Sequence, residues 1–480
     1  MKKFIKKIKS NKLLSILSVL IIGVFFILIA RVTYAYLAPV FNSAKTDVMG
    51  SSDTVDDFKF ELVDPLKIDA TPTTLKENGT NYVTSTTAKA LLKANSTKKT
   101  ATYNYYVYFQ IKSNTFTYSD GSTPEIILTV TNPNGEEVTS IEGLTYGTFN
   151  GVSGFDITTK KGLFNIANNH EITSNSSTSY TTQSWTIKIT YLNLSIDQST
   201  NFGNSMGVNI LIKSKFTLAD YVISQYTGTQ GENSLYYHNS TLTNGAGDNS
   251  YRYAGASDSV NNYICLGSDE ATCPEANLFR IIGVFGDQTK VIRAKSVGNK
   301  QWHTSNDNTW SSSSLNTYLN GEYLTSLGTL ADKIATTTWK AGGGAYANIS
   351  QSVPKTAYQY EVGSSASSTT VDKKIGLMYV SDYYYSASPS AWTLVGYNES
   401  DATKDYRAAK TINWLYLGSN EWTISRTSDI TPYAFGMFST GLVSNYGVTL
   451  SFGVRPSFNL LSSVTYASGS GTSSDPIRIN

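Results

Sequence analysis

The sequence predicts a mainly β protein: an N-terminal transmembrane or signal helix, an antiparallel β-sandwich, then an α+β domain. Three observations carry this. Several segments alternate apolar and polar residues with a period of two, which gives a pleated strand one apolar face. The chain is rich in Tyr, Thr, Ser, Asn and Gly and only 15% charged, which suits strands and turns better than helical bundles. One long apolar run, residues 13–30, follows six lysines (Lys2, Lys3, Lys6, Lys7, Lys9 and Lys12). The 480 residues exceed one ordinary core, so the chain is expected to divide. Residues 1–35 are the lysines plus the signal or anchor helix and 36–52 a linker. Residues 53–215 are the sandwich and 216–480 the α+β domain.

The apolar run is 18 residues long, about 27 Å as a helix, enough to span a bilayer. The preceding lysines keep the N-terminus cytoplasmic. Thr33 and Ala35 form a tolerable signal-peptidase site, so cleavage after Ala35 competes with retention as an anchor. In both cases the bulk of the chain lies outside, and any membrane attachment rests on residues 13–30. The formal net charge is +2. Without the leading lysines the remainder is mildly acidic, which excludes a nucleic-acid footprint.

In the sandwich, residues 58–63 open the first strand, and 67–99 read as loops and short edge elements. Residues 101–111 are the cleanest strand. Tyr103, Tyr105, Val107, Phe109 and Ile111 share one face, with Asn104, Tyr106, Tyr108 and Gln110 on the other. Ile126, Leu128 and Val130 follow, then a turn at 131–135. Trp185, Ile187, Ile189 and Tyr191 alternate with Thr and Lys, as Val208, Ile210 and Ile212 do with their neighbours. Tyr34-Ala35-Tyr36, Phe58-Lys59-Phe60-Glu61-Leu62, and the strand from Ser184 to Asn193 followed by Asp197-Gln198 resemble TasA/camelysin-like bacterial surface and fibre proteins. That resemblance implies an exported, non-enzymatic sandwich of jelly-roll type.

In the last region, 217–226 reads as a short helix with Thr217 as N-cap and Asp220 at its positive end. Residues 236–253 suggest an irregular hairpin. Residues 278–285 and 291–294 flank Gly286-Asp287-Gln288. The first of these strands is apolar on both faces and should be central. Helices are expected over 311–320 and near 330–334. A buried strand is expected at 375–380, and late strands at 422–425 and 453–460. A short final strand closes the chain.

The segments Asn249–Tyr253, Asn261–Cys265, Phe279–Phe285, Asn308–Asn316, Gly376–Asp382, Gly453–Pro456 and Gly469–Pro476 resemble a widespread uncharacterised surface domain of Gram-positive-type bacteria. A fold-level analogy extends to C-type-lectin-like and sulfatase-modifying-factor-like domains. It implies paired central strands at 422–425 and 453–456, with Arg455 structural; Trp414 and Trp422 read as core residues on the general burial of Trp.

Cys265 and Cys273, in a chain read as exported, are expected to form a disulfide. A reactive thiol pair is the alternative. His170, His238 and His303 stand among Asn and Ser residues and read as solvated loop residues. Glu361, Asp382, Glu399 and Glu421 read as exposed or capping carboxylates. No catalytic residue and no metal ligand is assigned. Calcium is the cation a lectin-like head would take, but neither Glu-Pro-Asn nor Trp-Asn-Asp occurs.

Aromatic faces stack on sugar rings and also dominate protein-binding hot spots. Tyr383, Tyr384, Tyr385, Trp392 and Glu421 are therefore the ligand-binding candidates. The sequence supports a non-catalytic cell-surface or secreted protein whose head recognises a glycan or protein ligand. A matrix or fibre subunit and a sulfatase-modifying-factor-like oxidase are the alternatives.

Overall fold

The computed structural model describes residues 56–62, 66–72, 74, 79–397 and 404–480. The apolar run 13–30, the linker 36–52 and Glu399 lie outside them. Among the described residues, no helix is long and apolar enough to cross a membrane. The chain is mainly β, with 39% strand against 16% helix.

Ten strands build the first half: β1 (Asp57–Leu62), β2 (Leu66–Asp69), β3 (Tyr82–Lys93), β4 (Ala101–Asn114), β5 (Ile126–Thr131), β6 (Thr145–Phe149), β7 (Val152–Asp156), β8 (Gly162–Ser174), β9 (Thr181–Tyr191) and β10 (Ser205–Lys213). They form a six-stranded sheet, β1-β3-β9-β5-β7-β6, and a four-stranded sheet, β2-β10-β4-β8. All pairings within both sheets are antiparallel. Tyr105, Val107, Phe109 and Ile111 of β4 share one core with Trp185, Ile187 and Ile189 of β9. The buried Tyr105 hydroxyl accepts from Trp185 Nε1 at 2.9 Å and donates to Gln183 Oε1 at 2.7 Å.

One expectation fails here. Residues 82–93 form a 12-residue strand inside the larger sheet, not a loop. Its inward residues include Ala88 and Ala90, and Ala88 lies directly opposite Trp185. A small residue leaves room for the indole and gives a weak periodic signal.

The other face of β4 is also covered. Tyr108 stacks on Phe216 with ring centroids 4.1 Å apart. Gln110 Nε2 donates to the Ser224 carbonyl at 2.7 Å. Both partners flank or lie in the helix Leu218–Ser224, capped by Thr217 and Asp220. The second half of the chain thus docks on the outer face of the four-stranded sheet.

That second half holds a seven-stranded and a five-stranded sheet. At the centre of the former lies the hairpin Leu278–Phe285/Gln288–Arg293. Gly286 takes the positive φ its two-residue turn requires. Gly283 is equally constrained, since a Cβ there would meet the Tyr251 carbonyl oxygen at 2.1 Å.

Residues 453–460 are not one strand. Ser451–Gly453 pairs within the five-stranded sheet and Ser457–Asn459 within the seven-stranded one, so Val454–Pro456 bridges the two. Nor do residues 375–380 form one strand. Only Ile375–Gly376 pairs, and Val380–Tyr385 is helical. The Glu361 carboxylate accepts the N–H groups of Val380 and Ser381, each at 2.8 Å. Asp382 accepts that of Tyr379, also at 2.8 Å. These carboxylates occupy the orphan donors of a helix start.

Cys265 and Cys273 form the disulfide, with Cα atoms 5.8 Å apart. The Arg478 guanidinium donates to the loop carbonyls of Ser268 and Glu270 at 2.8 and 2.7 Å, tying the bridged loop to the last strand. Replacing both cysteines by serine is expected to cost about 2–3 kcal/mol, the loop-closure entropy of so short a ring. Urea unfolding of the double variant checks this. An unchanged midpoint would show that the bridge contributes nothing to stability.

Candidate functional site

The five ligand-binding candidates are interior residues. Tyr383, Tyr384, Tyr385, Trp392 and Glu421 are each at most 1% exposed, so none presents a face to a ligand, and the expectation of a surface aromatic site there is corrected. On a strand the three tyrosines would point to alternate faces. On the helix Val380–Tyr385, wrapped on all sides, all three are buried. Each hydroxyl donates to a backbone carbonyl: Tyr383 to Gly441 at 3.2 Å, Tyr384 to Ile349 and Tyr385 to Asn244 at 3.1 Å. Trp392 Nε1 donates to Ala387 O at 2.9 Å. An aromatic residue whose polar tip is satisfied this way is a core pillar.

Trp414, Trp422 and Arg455 are buried too. Trp414 Nε1 donates to Tyr253 O at 2.8 Å and Trp422 Nε1 to Lys300 O at 3.0 Å. Arg455 meets Glu421 through Nε at 2.7 Å and Nη2 at 2.8 Å, and donates from Nη2 to Leu415 O at 2.6 Å. Burial pushes the Glu421 carboxyl up, and Arg455 opposes that.

Glu361 and Asp382 are buried, and of the two expected roles they take the capping one, at the start of the helix Val380–Tyr385. Glu361 also accepts from the Ser425 hydroxyl. Asp382 accepts from Lys290 Nζ at 2.5 Å and lies 3.8 Å from Arg252, which pairs with Asp248 at 2.5 Å. His238 is fully buried rather than solvated. Its Nδ1 accepts from Ala246 N–H at 3.1 Å, and burial lowers its pKa well below the usual imidazole value. Among the described residues, no cluster of metal-ligating side chains forms.

The surface formed by the described residues offers clefts instead, two of which are lined by charged groups. The larger, about 650 Å³, lies between the disulfide loop and the C-terminus. Its lining includes Asp269, Glu270 and Asp475 and no aromatic side chain. Its arginine, Arg478, is already spent on loop carbonyls.

The second, about 180 Å³, opens at the junction of the two halves. One wall is the outer face of β4 and β10, with Gln110, Lys112, Asn209 and Lys213. The other is the helix Leu218–Ser224 and its flank, with Asp220 and Tyr226, together with Tyr251 of the strand Tyr251–Tyr253. Tyr237 stacks on Tyr251 at 4.5 Å, and Tyr226 stands edge-on to Tyr251 at 5.6 Å. The first contact follows from register, because Tyr237 and Tyr251 are direct cross-strand partners. All three rings are only half-buried. Burial raises the Tyr251 hydroxyl to about 12, so it stays a donor at neutral pH.

Asp220 accepts from Lys213 at 2.5 Å and from the Thr217 N–H at 3.1 Å. Among the described residues, the Lys112 ammonium, the Asn209 side-chain amide and the Tyr251 hydroxyl have no hydrogen-bonding or ionic partner. The junction is also pinned from outside the cleft, by Lys161 on Glu232 at 2.7 Å. Sequence reasoning did not single out this site. Its one local sign is the tyrosine pair on the hairpin 236–253. No protein-family model, curated protein or solved structure matches the chain.

Proposed function

We propose that the chain is an exported bacterial surface protein whose head recognises a glycan without catalysis, at the junction cleft. The observation that carries this reading is the trio Tyr226, Tyr237 and Tyr251, half-buried beside a cleft of about 180 Å³ with unengaged polar groups. Ring faces suit the apolar face of a sugar, and neighbouring hydroxyl, amide and ammonium groups suit its oxygens. The cleft of about 180 Å³ lies below the roughly 300–1,000 Å³ of drug-sized sites, which matches one ring of a sugar chain.

The wider reading rests on the resemblances. The first half is taken as a TasA/camelysin-like sandwich and the second as a C-type-lectin-like head, with residues 13–30 as the membrane attachment. The two late strands meet at one residue pair, Glu421 with Gly453, and not over 422–425 and 453–456, so the lectin-like analogy rests on the sequence resemblance alone. The disulfide supports an oxidising compartment.

The test is an array of neutral and acidic oligosaccharides probed with the full-length protein. Tyr251→Ala is expected to weaken binding at least about tenfold, the loss of one stacking platform. A blank array from folded protein, or a Tyr251→Ala variant that binds like the parent, would sink the reading.

A further inference from the structure

The cleft holds two lysines against one aspartate. Lys213 and Asp220 satisfy one another, which leaves the Lys112 ammonium uncompensated. Its position is set by the strand. Along β4, Tyr106, Tyr108, Gln110 and Lys112 share the outer face. Tyr108 and Gln110 are covered by the docked head, so Lys112 falls at the rim of the contact, where the cover ends. The pairing with β10 runs from Gly207–Ser113 to Val208–Ile111 and skips Lys112, which is therefore the bulged residue of β4. The ammonium is partly desolvated there, and burial lowers its pKa with no anion opposing it. Half-burying an unpaired charge is unfavourable unless something binds to it. Asn209 and Tyr251, on opposite walls, add an amide and a hydroxyl that are likewise free among the described residues.

Building on the recognition reading above, we infer that the junction cleft is selective for an acidic sugar. Its carboxylate sits on Lys112, between Asn209 and Tyr251, while its ring stacks on the tyrosine cluster. One uncompensated positive charge matches one carboxylate. Lys112 is then the specificity residue, and the tyrosines supply affinity that does not depend on charge.

The experiment is calorimetric titration of the full-length protein with a glucuronate-containing tetrasaccharide and with the same tetrasaccharide after reduction of its carboxyls to alcohols. The parent is expected to bind the acid at least about tenfold more tightly than the reduced form, the worth of one charge-assisted hydrogen bond. Lys112→Met should abolish that ratio, bringing the affinity for the acid down to that for the reduced form. Its melting temperature should be no lower than the parent's, because the unpaired charge is gone. Equal affinity of the parent for both sugars, or a ratio that survives Lys112→Met, overturns the acidic specificity and leaves glycan recognition standing. Binding of neither sugar overturns both.

Discussion

Replacing Arg455 by Met is expected to lower the stability of the head by about 3–5 kcal/mol at neutral pH, the cost of removing one partner from a buried ion pair. Arg455 lies on the bridge between strands of two different sheets, and its guanidinium clamps Glu421 and the Leu415 carbonyl. Without it, Glu421 stays fully buried with its charge unopposed. The pH dependence has a definite sign. Burial raises the Glu421 pKa in the folded protein. The charged form is therefore penalised as pH rises above the unfolded value, and the penalty disappears when the carboxyl is protonated. The variant should recover toward the parent as pH falls from about 7 to about 5. Urea unfolding followed by tryptophan fluorescence at both pH values measures this. Adding Glu421→Leu should restore most of the loss at pH 7, because an apolar pair can replace a buried ionic one. A deficit that neither acid nor the second substitution reduces would mean that the side chain packs rather than neutralises.

What was legible in the sequence follows from where each element finds its partners. β4 and β9 carry their own pattern, since Tyr105 to Ile111 and Trp185 to Ile189 alternate against one core. β3 was hidden because alanines occupy its inward positions. The helix Val380–Tyr385 was illegible for a different reason. One of its caps is Glu361, 19 residues earlier in the chain, and no local periodicity reports a carboxylate supplied by tertiary folding. The aromatic site was misplaced by the same blindness. A tyrosine among serines and asparagines looks solvent-facing, yet Tyr383, Tyr384 and Tyr385 each end on a carbonyl from a distant segment. The junction cleft needs both halves of the chain at once, so Lys112 and Tyr251 are 139 positions apart with nothing local to join them.

The cluster around Asp382 should answer pH in the opposite direction to Glu421. Asp382→Asn keeps an acceptor for the Tyr379 N–H and removes only the charge. Lys290, fully enclosed and bonded to Asp382 at 2.5 Å, is then left unpaired, while Arg252 still holds Asp248. A loss of about 3–5 kcal/mol is expected at neutral pH. Burial lowers the Lys290 pKa, and Asp382 opposes that in the parent. Without the aspartate the folded-state pKa drops further. The penalty for the ammonium is full at low pH and is relieved as pH rises through that lowered value. Denaturant unfolding at about pH 7 and about pH 10 should therefore show the gap to the parent narrowing in alkali, where the Arg455→Met gap narrows in acid. Asp382→Asn with Lys290→Met should recover most of the loss at pH 7. If the deficit of Asp382→Asn is the same at both pH values, the aspartate acts on the helix start and not on the lysine. Tyr379 and its cap would then hold this part of the core, and Lys290 would keep one protonation state between the two pH values.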